Sequence, residues 1–389
     1  MTEDRRRNPV LACLSVLMVV ALYSLPFVRV APNRLVSGQA VYFSSIAPGA
    51  VWLLLAMLCV AVMVALLKPR RLWLGLVLAI SAVLTPGMLW LAASHATLAA
   101  QGATSIARTS FGGAFWLSVV LLVFMASTAL QQLRATAWQG AAVGTPVLLA
   151  LAALLGSGWC DDLSLIKEYT NRADGFVQIL ARHMQIVLLS LAFTVCIGLP
   201  LGWLAHTRAK AGRALLPVLN IIQTIPSIAL FGLLMAPLAL LAASLPALGR
   251  AGISGVGLAP AVIALTLYGL LPVVRSVLAG LQQVPAPMRN AATALGLTPW
   301  QVLIAVELPL ALPMVLGGVR TAAVACVGLA AVTALIGAGG LGSILFEGLF
   351  SNAQDLVLLG VLPIIVLGLL VDALFKGLIS LARRRAHSC

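Results

Sequence analysis

Few side chains in this sequence have strong chemical capacity, and they are scattered. Ten acids (Glu3, Asp4, Asp161, Asp162, Glu168, Asp174, Glu307, Glu347, Asp355 and Asp372) and four histidines are spread over 389 residues. Six cysteines, Cys13, Cys59, Cys160, Cys196, Cys326 and Cys389, show no CxxC spacing, and most lie in apolar runs where a thiol behaves as a small hydrophobe. No histidine has a second ligand at helical spacing, so neither a metal site nor a disulfide framework is expected, and no cofactor is implied. Gly337-Ala-Gly339-Gly340-Leu341-Gly342 satisfies the GxGxxG spacing of a dinucleotide turn. That turn must follow a strand, open a helix and be answered by an acid about 20 positions on, whereas a long apolar run precedes this one. The glycines instead predict a tight, re-entrant bend whose backbone must be buried or solvated. No GxxxxGK[ST] occurs, so any ATP that drives this chain is hydrolysed by another subunit.

Carriers driven by protons or sodium place acids deep in their spans, and none of the ten acids is expected at mid-span. Asp372 falls near a helix end with Lys376 at i+4, a spacing that an ordinary helix pair explains. Arg320 is the one deep cation, about two turns into its span; it either snorkels inward or pairs with a partner subunit. Gln223, Thr224 and Ser227 flank Pro226, where a missing N–H and polar side chains mark a broken helix. Broken helices in transporters line substrate paths; the other reading is a packing kink with satisfied side chains. Tyr268, in the adjacent span, is a weaker candidate for the same lining.

The elements that hold these residues are set by composition. The chain is 62% hydrophobic and 9% charged, against about 25% charged in a soluble domain, which excludes a water-soluble enzyme. A bilayer core of about 30 Å needs about 20 apolar residues per helical span. Ten spans are predicted: 9–28, 47–67, 72–93, 113–130, 138–158, 184–206, 215–243, 259–281, 313–336 and 356–381. The polar gaps, at most about 15 to 30 residues, are too short for a folded extramembrane domain. Arg5-Arg6-Arg7 before the first run resembles a signal peptide, but the run is long and no small-x-small site follows, so a retained span is expected. Trp73, Trp90, Trp116, Trp138, Trp159 and Trp203 fall near predicted span ends, as interfacial anchors do.

A net charge of +14 invites a nucleic-acid reading, but the basic residues lie between apolar runs and not on one solvated face, so none is expected to bind nucleic acid. With both termini cytoplasmic, only Arg29, Arg34, Arg108, Lys167, Arg172, Arg182 and Arg250 of the 24 Lys and Arg lie outside, and the other 17 lie inside. Reversing the topology inverts that ratio. Composition also divides the chain near Asp161, where DDLSLIKEYTNRADG separates five N-terminal spans (1–160) from five that carry all the motifs (161–389).

The most informative segment is 284–313, VPAPMRNAATALGLTPWQVLIAVELPLALP. An Ala-rich helix from about Met288 to Leu295 ends at Gly296, a residue suited to left-handed backbone. Thr298 then caps a second helix, with Pro299 at its first position and Gln301 three residues after the cap. Trp300, Leu303, Ile304 and Glu307 share one face of that helix, and Leu308-Pro309 is expected to end it before the next span. Such a hairpin is a rigid protrusion into the cytoplasm.

Asn290-Ala291-Ala292, three residues, Gly296, nine residues, Val306, one residue and Leu308-Pro309 resemble the EAA loop of ABC importer permeases, with Asn290 in place of the usual glutamate. In that family the loop enters a groove on a cytoplasmic ATPase, so the resemblance makes residues 290–309 the coupling element. Gln223 to Leu230, Pro260 to Ser276 and Ala334 to Phe350 resemble the osmoprotectant branch, permeases for glycine betaine, choline and carnitine. Residues 31–38 and 107–118 resemble a subgroup with extra N-terminal spans. The resemblance implies an all-α polytopic protein of the bacterial cytoplasmic membrane, with about ten spans and a five-helix permease core. It also implies three partners: an ATPase, an extracytoplasmic binding protein, and a second permease copy or related permease. An ion-coupled secondary carrier is the rival reading; the absence of mid-span acids and the hairpin argue against it.

Overall fold

Long apolar runs leave the backbone no partner but itself in a bilayer, and most of them are helical. The computed structural model describes residues 9–33, 36, 38–47, 49, 56–57, 71–101, 107–250 and 252–388. Most of the expected second span, 47–67, lies outside these residues, as do Arg5, Arg6, Arg7, Cys59 and Cys389. Among the described residues, eight helices are long and apolar enough to cross a membrane, and the first expected span is a shorter apolar helix of 16 residues. The chain divides into two compact units, Met1–Asn171 and Arg172–Cys389.

The first unit contains α1 (Pro9–Ser24), β1 (Val28–Ala31), β2 (Gln39–Val41), α2 (Phe43–Ile46), α3 (Arg71–Gln101), β3 (Arg108–Phe111), α4 (Gly113–Gln132), α5 (Ala137–Gly156) and α6 (Ser164–Thr170). The antiparallel sheet, ordered β2-β1-β3, is an addition to the expected architecture, with Val28 opposite both Val41 and Phe111. Its strands are three or four residues long, too short to show alternation in sequence. Phe27, Phe43, Phe111, Phe115 and Trp116 hold it through edge and stacked contacts, with Phe27 and Phe43 centroids 5.2 Å apart. α4 packs against α1 and α3 through buried Leu122, Met125 and Ala129.

The second unit contains α7 (Ala173–Thr207), α8 (Ala209–Thr224), α9 (Ser227–Ser244), α10 (Pro246–Arg250), α11 (Leu258–Gln282), α12 (Ala286–Ala294), α13 (Pro299–Val302), a π-turn (Leu303–Glu307), α14 (Leu308–Leu329), a 3₁₀ turn (Val332–Ile336), α15 (Leu341–Phe350) and α16 (Gln354–Ser388). α11 is central and packs on α7, α8, α9 and α14. With no hydrophobic drive between helices in lipid, close backbone approach supplies the packing. A Cβ on Gly318 would stand 1.8 Å from Ser276 Oγ, so only glycine fits where α14 crosses α11.

Two expected boundaries need correction. The expected span 215–243 is two helices, α8 and α9, because Pro226 ends the ladder; only α9 is long and apolar enough to cross alone. Leu308-Pro309 does not stop the hairpin's second helix, which runs from Pro299 through to Leu329. The π-turn explains why: Leu308 N–H bonds to the Leu303 carbonyl five residues back. This widened turn takes up the missing N–H and ring of Pro309 without a break.

Candidate coupling hairpin and substrate path

Residues that cap a helix need only local partners, and the hairpin is built from such caps. α12 ends in a Schellman motif: Leu297 N–H bonds to Ala292 O at 3.2 Å and Gly296 N–H to Thr293 O at 2.9 Å, with Gly296 at φ +84°. Thr298 and Gln301 then form a capping box, Thr298 N–H donating to Gln301 Oε1 at 2.8 Å and Gln301 N–H to Thr298 Oγ1 at 3.4 Å. Pro299 occupies the first turn. Ala292 is buried between the two limbs, whereas Asn290, Ala291, Gly296, Leu308 and Pro309 are exposed and Val306 is half-buried. Leu295, Trp300 and Ile304 expose large apolar side chains on the same protrusion. A rigid apolar protrusion of this kind suits a protein groove.

Two contacts of the hairpin join residues too far apart in sequence to be anticipated. Arg289 Nη1 lies 3.8 Å from Glu307 Oε1, tying α12 to the π-turn. Trp300 meets Trp203 edge-on, with centroids 6.2 Å apart, so the hairpin rests on the end of α7.

At the second candidate site, the structure brings Gln223 and Tyr268 together around the helix break. Gln223 Nε2 donates to Tyr268 O at 2.9 Å, and the Tyr268 hydroxyl donates to Ile225 O at 2.5 Å. Thr224 Oγ1 bonds locally to Ile221 O at 2.7 Å. Pro226 precedes α9 and Ser227 is its first residue. The break thus leaves an orphan carbonyl at Ile225, and the tyrosine satisfies it across the helix pair. Tyr268 holds the break in shape; Gln223, Thr224 and Pro226 remain exposed beside it.

Arg320 needs neither snorkelling nor a partner subunit. Its Nε donates to Asp372 Oδ1 at 2.6 Å, and Lys376 Nζ lies 2.8 Å from Asp372 Oδ2. One carboxylate on α16 therefore answers the deep cation of α14. Beyond α14, Gly337, Gly339 and Gly340 all have positive φ and make the bend that opens α15. Arg182 Nε donates to Ala338 O at 2.9 Å and pins that bend to α7.

Residues 5–166 match the N-terminal domain of the ABC transporter permease YehY, and residues 195–384 match the binding-protein-dependent transport system inner membrane component. The osmoprotectant import permease protein OsmW of Salmonella typhimurium is 38% identical over 197 residues, covering 51% of this chain and 86% of that protein. The carnitine transport permease protein OpuCD of Listeria monocytogenes is 33% identical over 212 residues, covering 54% and 87%. Among solved structures, the inward-facing methionine ABC transporter MetNI is 26% identical with a TM-score of 0.47, covering 53% of this chain and 95% of that one.

Proposed function

Because the chain belongs to the inner-membrane permeases of binding-protein-dependent ABC importers, we propose that it carries a quaternary-ammonium osmolyte such as glycine betaine. It is a multi-pass membrane permease and not itself an enzyme. ATP is hydrolysed by a partner ATPase, and an extracytoplasmic binding protein delivers the solute. The second unit's five-helix core, within 161–389, performs transport with a second permease copy or a related permease, and residues 1–160 are appended spans. The single observation that carries the coupling role is the hairpin itself, capped at both helix ends and exposing Asn290, Ala291, Leu295 and Trp300. Asn290, Ala291, Ala292, Gly296, Val306, Leu308 and Pro309 form its docking surface and frame.

Both termini are placed in the cytoplasm by the distribution of Lys and Arg. β1 and β3 pair directly, so Arg29 and Arg108 share one side in either orientation, and the direction rests on the Lys and Arg distribution alone. The substrate path runs beside the break in α8–α9, lined by Gln223, Thr224, Pro226 and Ser227 and shaped by Tyr268. A permanently charged zwitterion needs no proton transfer, so a weakly polar path passes it without trapping it. Copurification in mild detergent tests the assembly. An ATPase subunit should accompany the wild-type chain and be lost when residues 290–309 are replaced by a flexible linker. Retention of the ATPase after that replacement would contradict the coupling assignment.

A further inference from the structure

A 31-residue helix, Pro299–Leu329, rises about 46 Å, so the segment after Leu329 lies at the opposite end of this unit from the hairpin. There the 3₁₀ turn and α15 border a shallow, open cavity of about 630 Å³, lined by Ala334, Leu335, Ser343, Phe346, Glu347, Phe350 and Ser351. Positions 343, 346, 347 and 350 share one face of α15, since residues three and four apart stack along a helix. The Phe346 and Phe350 rings stand 6.1 Å apart at 31°, and Phe350 is 77% exposed. Between them in sequence, Glu347 Oε1 accepts from Arg172 Nη2 at 2.5 Å.

This grouping has a specific chemical complement. A quaternary ammonium has no N–H to donate, so aromatic faces and a carboxylate are what recognise it. A fixed carboxylate on the same molecule needs a cation, and a guanidinium with five N–H donors is not exhausted by one contact at Nη2. We propose that this cavity is a receiving site for a zwitterionic trimethylammonium carboxylate. The ammonium sits against Phe346 and Phe350 beside Glu347, and the carboxylate reaches Arg172. This inference rests on the substrate class proposed above and adds a site within the permease to it. The site stands where a solute released on the face opposite the hairpin first meets the core.

The ATPase–permease complex in lipid nanodiscs, without binding protein, tests this by saturation-transfer NMR of glycine betaine and by ATP-driven uptake in proteoliposomes with binding protein. Trimethyl-proton transfer is expected with the wild-type complex. Phe350→Ala should raise the half-saturating betaine concentration about three- to fivefold, the range that one exposed cation–π contact supports, and Phe350→Trp should restore it. Glu347→Gln, which keeps the side-chain shape, decides the matter if Phe350→Ala fails to assemble, and should weaken betaine similarly. Arg172→Gln should weaken betaine more than choline, which has no carboxylate. Wild-type affinity in Phe350→Ala or Glu347→Gln would overturn the site. So would equal loss of binding-protein association in the Ala and Trp variants, which marks a docking surface instead. If the wild-type complex moves no betaine at all, the substrate class itself fails, and that result is separate from any variant's.

Discussion

The Tyr268 hydroxyl does what the helix break at Pro226 makes necessary. Where a helix stops inside a span its last carbonyls lose their partners, and no bulk water is present to take them up; here Ile222 O, which the N–H of residue 226 would have met, accepts from Ile225 N–H, and Ile225 O accepts from Tyr268. Tyr268→Phe keeps the ring and removes only that donor, at a cost of about 1 to 2 kcal/mol for the orphaned acceptor. The expected outcome is a lowered melting temperature in detergent with reduced uptake. A melting curve identical to wild type would show that the carbonyl finds another partner. The break was legible in Gln223-Thr-Ile-Pro226-Ser227 because proline chemistry is local. The tyrosine's role was not, since it depends on a partner 43 residues away. The same holds for Arg320, whose type and depth flagged it but whose carboxylate, Asp372, lies on another helix 52 residues on.

At the scale of elements, the hairpin between α11 and α14 was the most readable part of the chain. A Schellman glycine, a capping-box pair and a first-turn proline each act within six residues, so the sequence of the segment contains its own fold. Gly296→Val tests it cleanly: a Cβ there meets nothing within 4 Å, so the effect is backbone strain alone. Forcing a β-branched residue to φ near +84° costs about 1 to 2 kcal/mol. Membrane insertion should be normal, ATPase copurification weakened and uptake lost; uptake at the wild-type rate would refute the assignment. The course of the chain after the hairpin was not legible. Leu308-Pro309 reads as a stop, yet the π-turn carries the helix into α14, so the hairpin's second limb and that span form one continuous helix. The sheet was hidden for the opposite reason: β1 and β3 are short and pair across some 80 residues.

For the whole molecule, the distribution of Lys and Arg predicts a hairpin inside the cell and an α15 cavity outside. A cysteine introduced at position 291 should react with a membrane-impermeant maleimide only after the cells are opened; labelling in intact cells would reverse the topology and the coupling role together. Charge bias and span length are the two sequence signals from which this arrangement is inferred, because the bilayer constrains both directly. The central claim is ATP-driven import of a quaternary-ammonium zwitterion, and vesicles containing the permease, its ATPase and its binding protein test it most directly. Labelled glycine betaine should accumulate with ATP and not with a proton or sodium gradient alone, and labelled amino acid should not accumulate. Betaine uptake driven by an ion gradient without ATP, or uptake of the amino acid alone, would contradict the account.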